Sequence, residues 1–178
     1  MRLAILLFFL GPILAQEPKY EFKRLPPSAF RDLPPAVAQD LESRGCLIPQ
    51  SELIPNPHNV VKGSFARPGQ TDWAVLCSLH GISSILVFWN GSVKDPASLA
   101  AFDDSIYVQS MGPNGTQPTF SRILQIAGKE FIEGHYQAYG GLKPPPIDHQ
   151  GIDDSFAEKG SVVWYFYEGK WMKLTGSD

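Results

Sequence analysis

The sequence predicts an α+β domain built mainly on an antiparallel sheet, and three observations carry that expectation. From residue 59 onward, β-branched and aromatic runs recur between short turns rich in Gly, Pro and Asn, the order of a meander of about six to seven strands. Only two stretches, 35–44 and 129–139, have the spacing of a helix with one apolar stripe. Hydrophobic residues make up 43% of the 178, enough for a real core, so residues 35–178 are expected to form a single domain.

The first segment reads MRLAILLFFLGPILAQEP, with one basic residue, an apolar run, and Ala15 ahead of polar Gln16. That is the pattern of a secretory signal peptide over residues 1–15, cleaved near Ala15. A membrane anchor is the weaker reading, because the run is shorter than the roughly 20 apolar residues a spanning helix needs and Gly11-Pro12 interrupts it. No Cys follows the cleavage point to carry a lipid, and no later stretch is long and apolar enough to span a bilayer. The expectation is a soluble chain, periplasmic or secreted.

Losing residues 1–15 removes Arg2 and no acidic residue, so the formal net charge of -3 becomes -4. No Lys/Arg run exists to displace counterions, which argues against nucleic acid as a partner. Residues 16–34 are Pro-rich and expected to be extended.

Pro35 can then open a helix. In PAVAQDLESRGC, Ala36, Val37 and Leu41 share a face, Gln39, Asp40, Glu42 and Arg44 point outward, and Gly45 is the stop. Cys46 follows that stop and Cys77 lies in a predicted strand. An even count in an exported chain favours one disulfide between them. Zinc is the alternative, since Cys77-Ser78-Leu79-His80 has ligand-like spacing and His58 is available.

Strands are expected at 59–65, 71–78, 83–90, 105–110 and 121–127, then a short helix at 129–139, where Phe131, His135 and Tyr139 share a face despite Gly134. A loop over 142–160 precedes a closing hairpin, SVVWYFYEGKWMKLTG, turning at Glu168-Gly169-Lys170. Alternation puts Val162, Trp164 and Phe166 on one face of its first strand and Val163, Tyr165 and Tyr167 on the other. The first set is the more apolar and is assigned to the core. That leaves Tyr165, Tyr167 and Trp171 as candidates for a surface that binds a protein or a glycan, unless helices cover both faces.

One short run has a family resemblance. In GSFARPGQTDWAVLCS (63–78), Gly63, Phe65, Gly69, Asp72, Ala74 and Val75 stand where the calcium-binding hairpin of FG-GAP propeller repeats places equivalent residues. The resemblance implies a Phe-loop-Asp turn. It does not extend to the metal, because Ala66, Arg67 and Pro68 offer no carboxylate to a cation that wants six to eight oxygens, and the run occurs once. The same run, with Gly45-Cys46 and a closing Gly-x-Trp, is similar to uncharacterised exported bacterial proteins, a resemblance that implies no activity.

The densest polar cluster is PPPIDHQGIDD (144–154), with Asp148, His149, Asp153 and Asp154. Carboxylates beside an imidazole can hold a metal or make an acid/base pair, so Asp148, His149, Asp153 and, further off, Asp103 are the candidates for a hydrolase or metal-dependent enzyme. As a calcium hand the stretch fails, with Asp153 in the Gly position and Lys159 in the Glu position. The same residues also make an ordinary turn after prolines. Asp103-Asp104 reads as a solvated strand entry. There is no nucleophile elbow, no His-Glu-x-x-His and no phosphate loop. Asn90 and Asn114 begin sequons, used only in a eukaryotic secretory route. The favoured reading is an exported soluble binding or accessory domain, without catalysis, metal or cofactor; the rivals are that enzyme and a structural component of the cell envelope.

Overall fold

The structure is a computed structural model and describes residues 21–111 and 117–178. The expected signal peptide and Asn114 lie outside those residues.

Near its start the chain pairs β1 (Arg24–Leu25) antiparallel with β2 (Ile48–Pro49). Between them runs α1 (Pro35–Ser43), begun by a proline whose missing N–H is not needed in the first turn. Gly45, at φ +75°, lets the chain turn off the helix so that the Cys46 N–H reaches the Leu41 carbonyl. The buried stripe is Val37 and Leu41, as the spacing predicts.

A first sheet follows as an antiparallel meander: β3 (Val60–Gly63), β4 (Asp72–Leu79), β5 (Ile82–Phe88) and β6 (Ala97–Asp103), in that spatial order. Its outer face presents Val75, Cys77, Leu86 and Phe88 to Leu33, Val37 and Leu41. Cys46 and Cys77 form the expected disulfide, stapling the end of α1 to β4 with Cα atoms 5.4 Å apart across 31 residues. A closure of that length stabilises the fold by about 3–4 kcal/mol in the chain-entropy account. Cys77 is therefore unavailable to the zinc alternative.

Next come a two-stranded ribbon, β7 (Val108–Met111) with β8 (Gln117–Phe120), and then β9 (Arg122–Ala127). After α2 (Lys129–Tyr139) the chain adds β10 (Gly151–Phe156), β11 (Gly160–Tyr167) and β12 (Lys170–Thr175), giving a second antiparallel sheet in the order β12-β11-β10-β9. Ile132 of α2 buries against Ala127, Val163, Tyr165 and Leu174 on its outer face. The inner faces meet each other: Phe65, Ala74, Leu76, Ile85 and Val87 pack on Phe120, Leu124 and Ile152. The layers are thus helix, sheet, sheet, helix.

This corrects the expected single meander: the described strands form four sheets, two of them four-stranded and two of them two-stranded. Each helix has one apolar stripe and covers one outer face, so the inner faces satisfy each other. Five strands were not expected: the two-residue β1 and β2, the four-residue β8, and β6 and β10. β6 is short of β-branched residues, and β10 carries Asp153 and Asp154 where apolar alternation would be read. The predicted strand at 105–110 begins later, because Asp104–Tyr107 is a 3-10 turn.

The closing hairpin faces the opposite way from the expectation. Val163 and Tyr165 are fully buried beneath α2, whereas Trp164 and Phe166 are half-buried between the sheets. Hydrophobicity ranks Trp and Phe above Tyr, but a buried Tyr is acceptable once its hydroxyl has partners, and Tyr165 has them. Tyr165→Ala is therefore expected to lower unfolding free energy by about 3–5 kcal/mol, and Trp164→Ala by less. Urea titrations of the two variants check the order; a mild Tyr165→Ala would contradict the packing under α2.

Candidate functional site

Arg122 opens β9 with no exposed surface. A buried guanidinium must find acceptors for its N–H groups or lose several kcal/mol. Nε and Nη2 donate to the two carboxylate oxygens of Asp154, each at 2.8 Å. Nη2 also reaches the Ala100 carbonyl at 2.9 Å, and Nη1 the carbonyl and hydroxyl of Ser83 at 3.2 and 3.3 Å. The ring of Tyr107 lies 4.7 Å away and that of Phe102 5.4 Å. One side chain thus binds β10 of the second sheet to β5 and β6 of the first. Trp164 completes the arrangement, its indole N–H donating to Asp154 at 3.2 Å.

Beside this pair opens a cleft of about 620 Å³. Phe102, Ile106 and Tyr107, from the end of β6 and the turn after it, make one wall. Phe156, Val162 and Trp164 from β10 and β11 make the other, with Asp154 at the base. Tyr107 packs edge-on against Phe156 at 5.2 Å, and burial pushes its phenol above the usual range, so at neutral pH it remains a protonated donor. Lys159, Lys173 and Asp178 stand at the mouth.

The 144–154 cluster is divided among three places. Asp148 and His149 precede β10. The His149 ring is nearly buried and stacks on Tyr165 with centroids 4.3 Å apart. Its Nδ1 lies 2.6 Å from the Asp148 carboxylate and 2.9 Å from the Tyr165 hydroxyl, and its Nε2 lies 2.9 Å from the Phe166 carbonyl. Both ring nitrogens are occupied, and the hydrogen bond from His149 holds the exposed Asp148 carboxyl below the usual carboxylate range. Asp153 and Asp154 are adjacent in a strand, so they point to opposite faces: Asp154 to Arg122, Asp153 toward α2. Asp103 lies apart at the end of β6, where it accepts from the Ser105 N–H at 2.8 Å. Among the described residues, no three His, Cys, Asp or Glu side chains come close enough together to hold a metal ion.

Tyr165, Tyr167 and Trp171 do not make one surface. Tyr165 is buried, Tyr167 packs half-buried in the cluster under α2, and Trp171 packs on the inner face. There Trp171 stacks with Trp89 at 5.7 Å and meets Phe166 edge-on at 5.3 Å.

The hairpin at 63–78 is held by Asp72 itself. One carboxylate oxygen accepts from the N–H groups of Phe65 and Ala66 at 2.9 and 3.0 Å; the other accepts from the Gln70 amide at 2.7 Å and the Asn90 N–H at 2.8 Å. Gly63 is required beside it, since a Cβ there would lie 2.7 Å from the Phe65 ring.

The residues the sequence reading missed are those of the cleft, Arg122 above all. Its signal was present: a cation opening the mainly apolar run RILQIA. The class defined here is a helix-sheet-sheet-helix sandwich with a cleft between its sheets. No family model, curated protein or solved structure matches the chain.

Asp153 generates a pH prediction. It is buried, one oxygen has no hydrogen-bond partner, and burial raises its carboxyl above the usual value. The native state therefore holds this proton more tightly than the unfolded chain does. Its stability is fully present below the unfolded value of about 3.9 and is lost as pH rises through the folded value. Asp153→Asn removes that loss, so the variant should show a higher urea midpoint than the parent at pH 7 and no advantage at pH 3. An equal or lower midpoint at pH 7 would contradict this.

Proposed function

We propose that the protein is a binding domain that holds a small organic molecule with an apolar body in the cleft between its sheets, without catalysis. The observation that carries this reading is the cleft itself: about 620 Å³, walled by aromatic side chains, with an internally satisfied ion pair at its base. Ligand sites commonly have about 300–1,000 Å³ and apolar walls with few polar groups. Arg122 and Asp154 satisfy each other, so they fix the shape of the cleft and leave recognition to the walls.

The enzyme reading draws less support. His149 would have to give up the Phe166 carbonyl or its Asp148 and Tyr165 contacts to act as a base or a metal ligand, and Asp153 lies on another face. The disulfide supports an exported setting, since such bonds persist in oxidising compartments. Among the described residues no helix is long and apolar enough to cross a membrane. The FG-GAP resemblance enters only as a turn geometry, held by Asp72.

The test uses N-phenyl-1-naphthylamine, an uncharged aromatic probe that brightens on leaving water. Saturable binding is expected, with the Trp164 indole N–H resonance shifting as the probe is added. Val162→Trp, which fills the cleft, should abolish binding. Should that variant fail to fold, the Trp164 resonance of the parent decides. No saturable binding, or binding that leaves the resonance unmoved, would overturn the proposal.

A further inference from the structure

Resting on the cleft reading, we infer that Tyr107 determines its specificity: the ligand is an uncharged molecule whose apolar body carries a carbonyl-type oxygen, and that oxygen accepts a hydrogen bond from the Tyr107 phenol. Most other polar side chains of the cleft are already committed. Asp154 accepts from Arg122 through both oxygens and from the Trp164 indole, so neither that carboxylate nor that N–H is left for a ligand. Thr175 donates to the Gly140 carbonyl at 2.8 Å. The Ser177 hydroxyl donates to that of Ser161 at 3.1 Å, and the same Ser161 oxygen takes the Ser177 N–H at 2.8 Å. Tyr139, Lys159, Lys173 and Asp178 are exposed, so water holds their polar ends with or without a ligand.

Tyr107 is the exception. Its ring is half-buried among the rings of Phe102, Phe156 and Phe120, with centroids 6.1, 5.2 and 6.3 Å away, and the Arg122 guanidinium lies 4.7 Å from its own centroid. These contacts fix the ring near the base of the cleft. The hydroxyl has no hydrogen-bond partner among the described residues. Nor is it one of the unpartnered side-chain atoms sealed from solvent, which belong to Asp104, Asp153 and Trp171. An unpaired hydroxyl that solvent still reaches, on a side chain lining the cleft, opens into the cleft. Burial keeps it protonated, and so a donor. A purely apolar ligand would strip water from this donor and leave it unpaired, whereas an oxygen placed there restores the bond. A charged group gains nothing further, because Arg122 and Asp154 neutralise each other at the base and the mouth carries charges of both signs.

The experiment compares 2-acetylnaphthalene with 2-ethylnaphthalene, which match in shape and differ in a carbonyl for a methylene. Binding is followed by the Trp164 indole N–H resonance. The two ligands differ in hydrophobicity by themselves, so the ratio of their affinities in the parent is set against the ratio in Tyr107→Phe. That variant is expected to lower the ketone-to-hydrocarbon ratio about threefold to tenfold, the worth of one hydrogen bond. An unchanged ratio, including an equal loss for both ligands, would reduce Tyr107 to a piece of wall and overturn the inference while the cleft reading stands. Because the hydroxyl has no protein partner, the urea midpoint of Tyr107→Phe should match that of the parent; a lower midpoint would show the phenol bonded within the protein and would also overturn the inference. Tighter binding of 2-naphthoate than of 2-acetylnaphthalene would overturn its uncharged half. Binding of N-phenyl-1-naphthylamine but of neither naphthalene would sink the inference alone, and failure of all three to bind would remove the cleft reading.

Discussion

Burying the Arg122 guanidinium is the constraint on which the arrangement of the sheets depends. Outside water, a cation of this kind is tolerated only where a paired anion and further acceptors replace hydration. The acceptors come from three strands: Asp154 on β10, Ser83 on β5 and the Ala100 carbonyl on β6. Satisfying one side chain therefore fixes the separation of two sheets. It also explains why Asp154 can stand in the middle of a strand. The carboxylate is the anion that permits the cation, and an apolar residue there would leave Arg122 uncompensated.

A second buried polar residue closes the sandwich along another edge. Asn59, at φ +69° and with no exposed surface, donates to the carbonyls of Pro49 and Arg122 and accepts from the Leu124 N–H. Asn tolerates that backbone region better than most residues, and its amide can donate and accept at once. It joins the approach to β3 with β9, the edge strands nearest each other. No equivalent bridge is found among the described residues between β6 and β12, and the cleft lies on that side. Its position thus follows from where the polar clamps are and where they are not.

How much of this was legible depends on the range of the interaction involved. Helices opened by Pro35 and patterned at Phe131, His135 and Tyr139 are local, and both were readable. So was the disulfide, which was expected from a count of two and the export pattern of the first residues. The division into two sheets was not, because it depends on which faces the helices cover. Nor was the candidate site: Arg122 and Asp154 are 32 residues apart, and the walls draw on Phe102 as well as Trp164. The 144–154 cluster misled for the converse reason. Proximity in sequence placed Asp153 beside Asp154, and the two-residue period of a strand then sent them to opposite faces.

The Phe-loop-Asp hairpin and the cleft base illustrate the same physical substitution. In a calcium hairpin the cation would neutralise the loop carboxylates; at Asp72, two backbone N–H groups, a side-chain amide and the Asn90 N–H take that place. At Asp154 a guanidinium and an indole N–H do so. In both, a buried carboxylate organises the chain by accepting from internal donors, and its oxygens are then spent. A carboxylate used in this way is a poor candidate for chemistry on an external molecule. Asp72 and Asp154 are committed to structure in this way, and what remains to meet a ligand is the aromatic surface they hold in place.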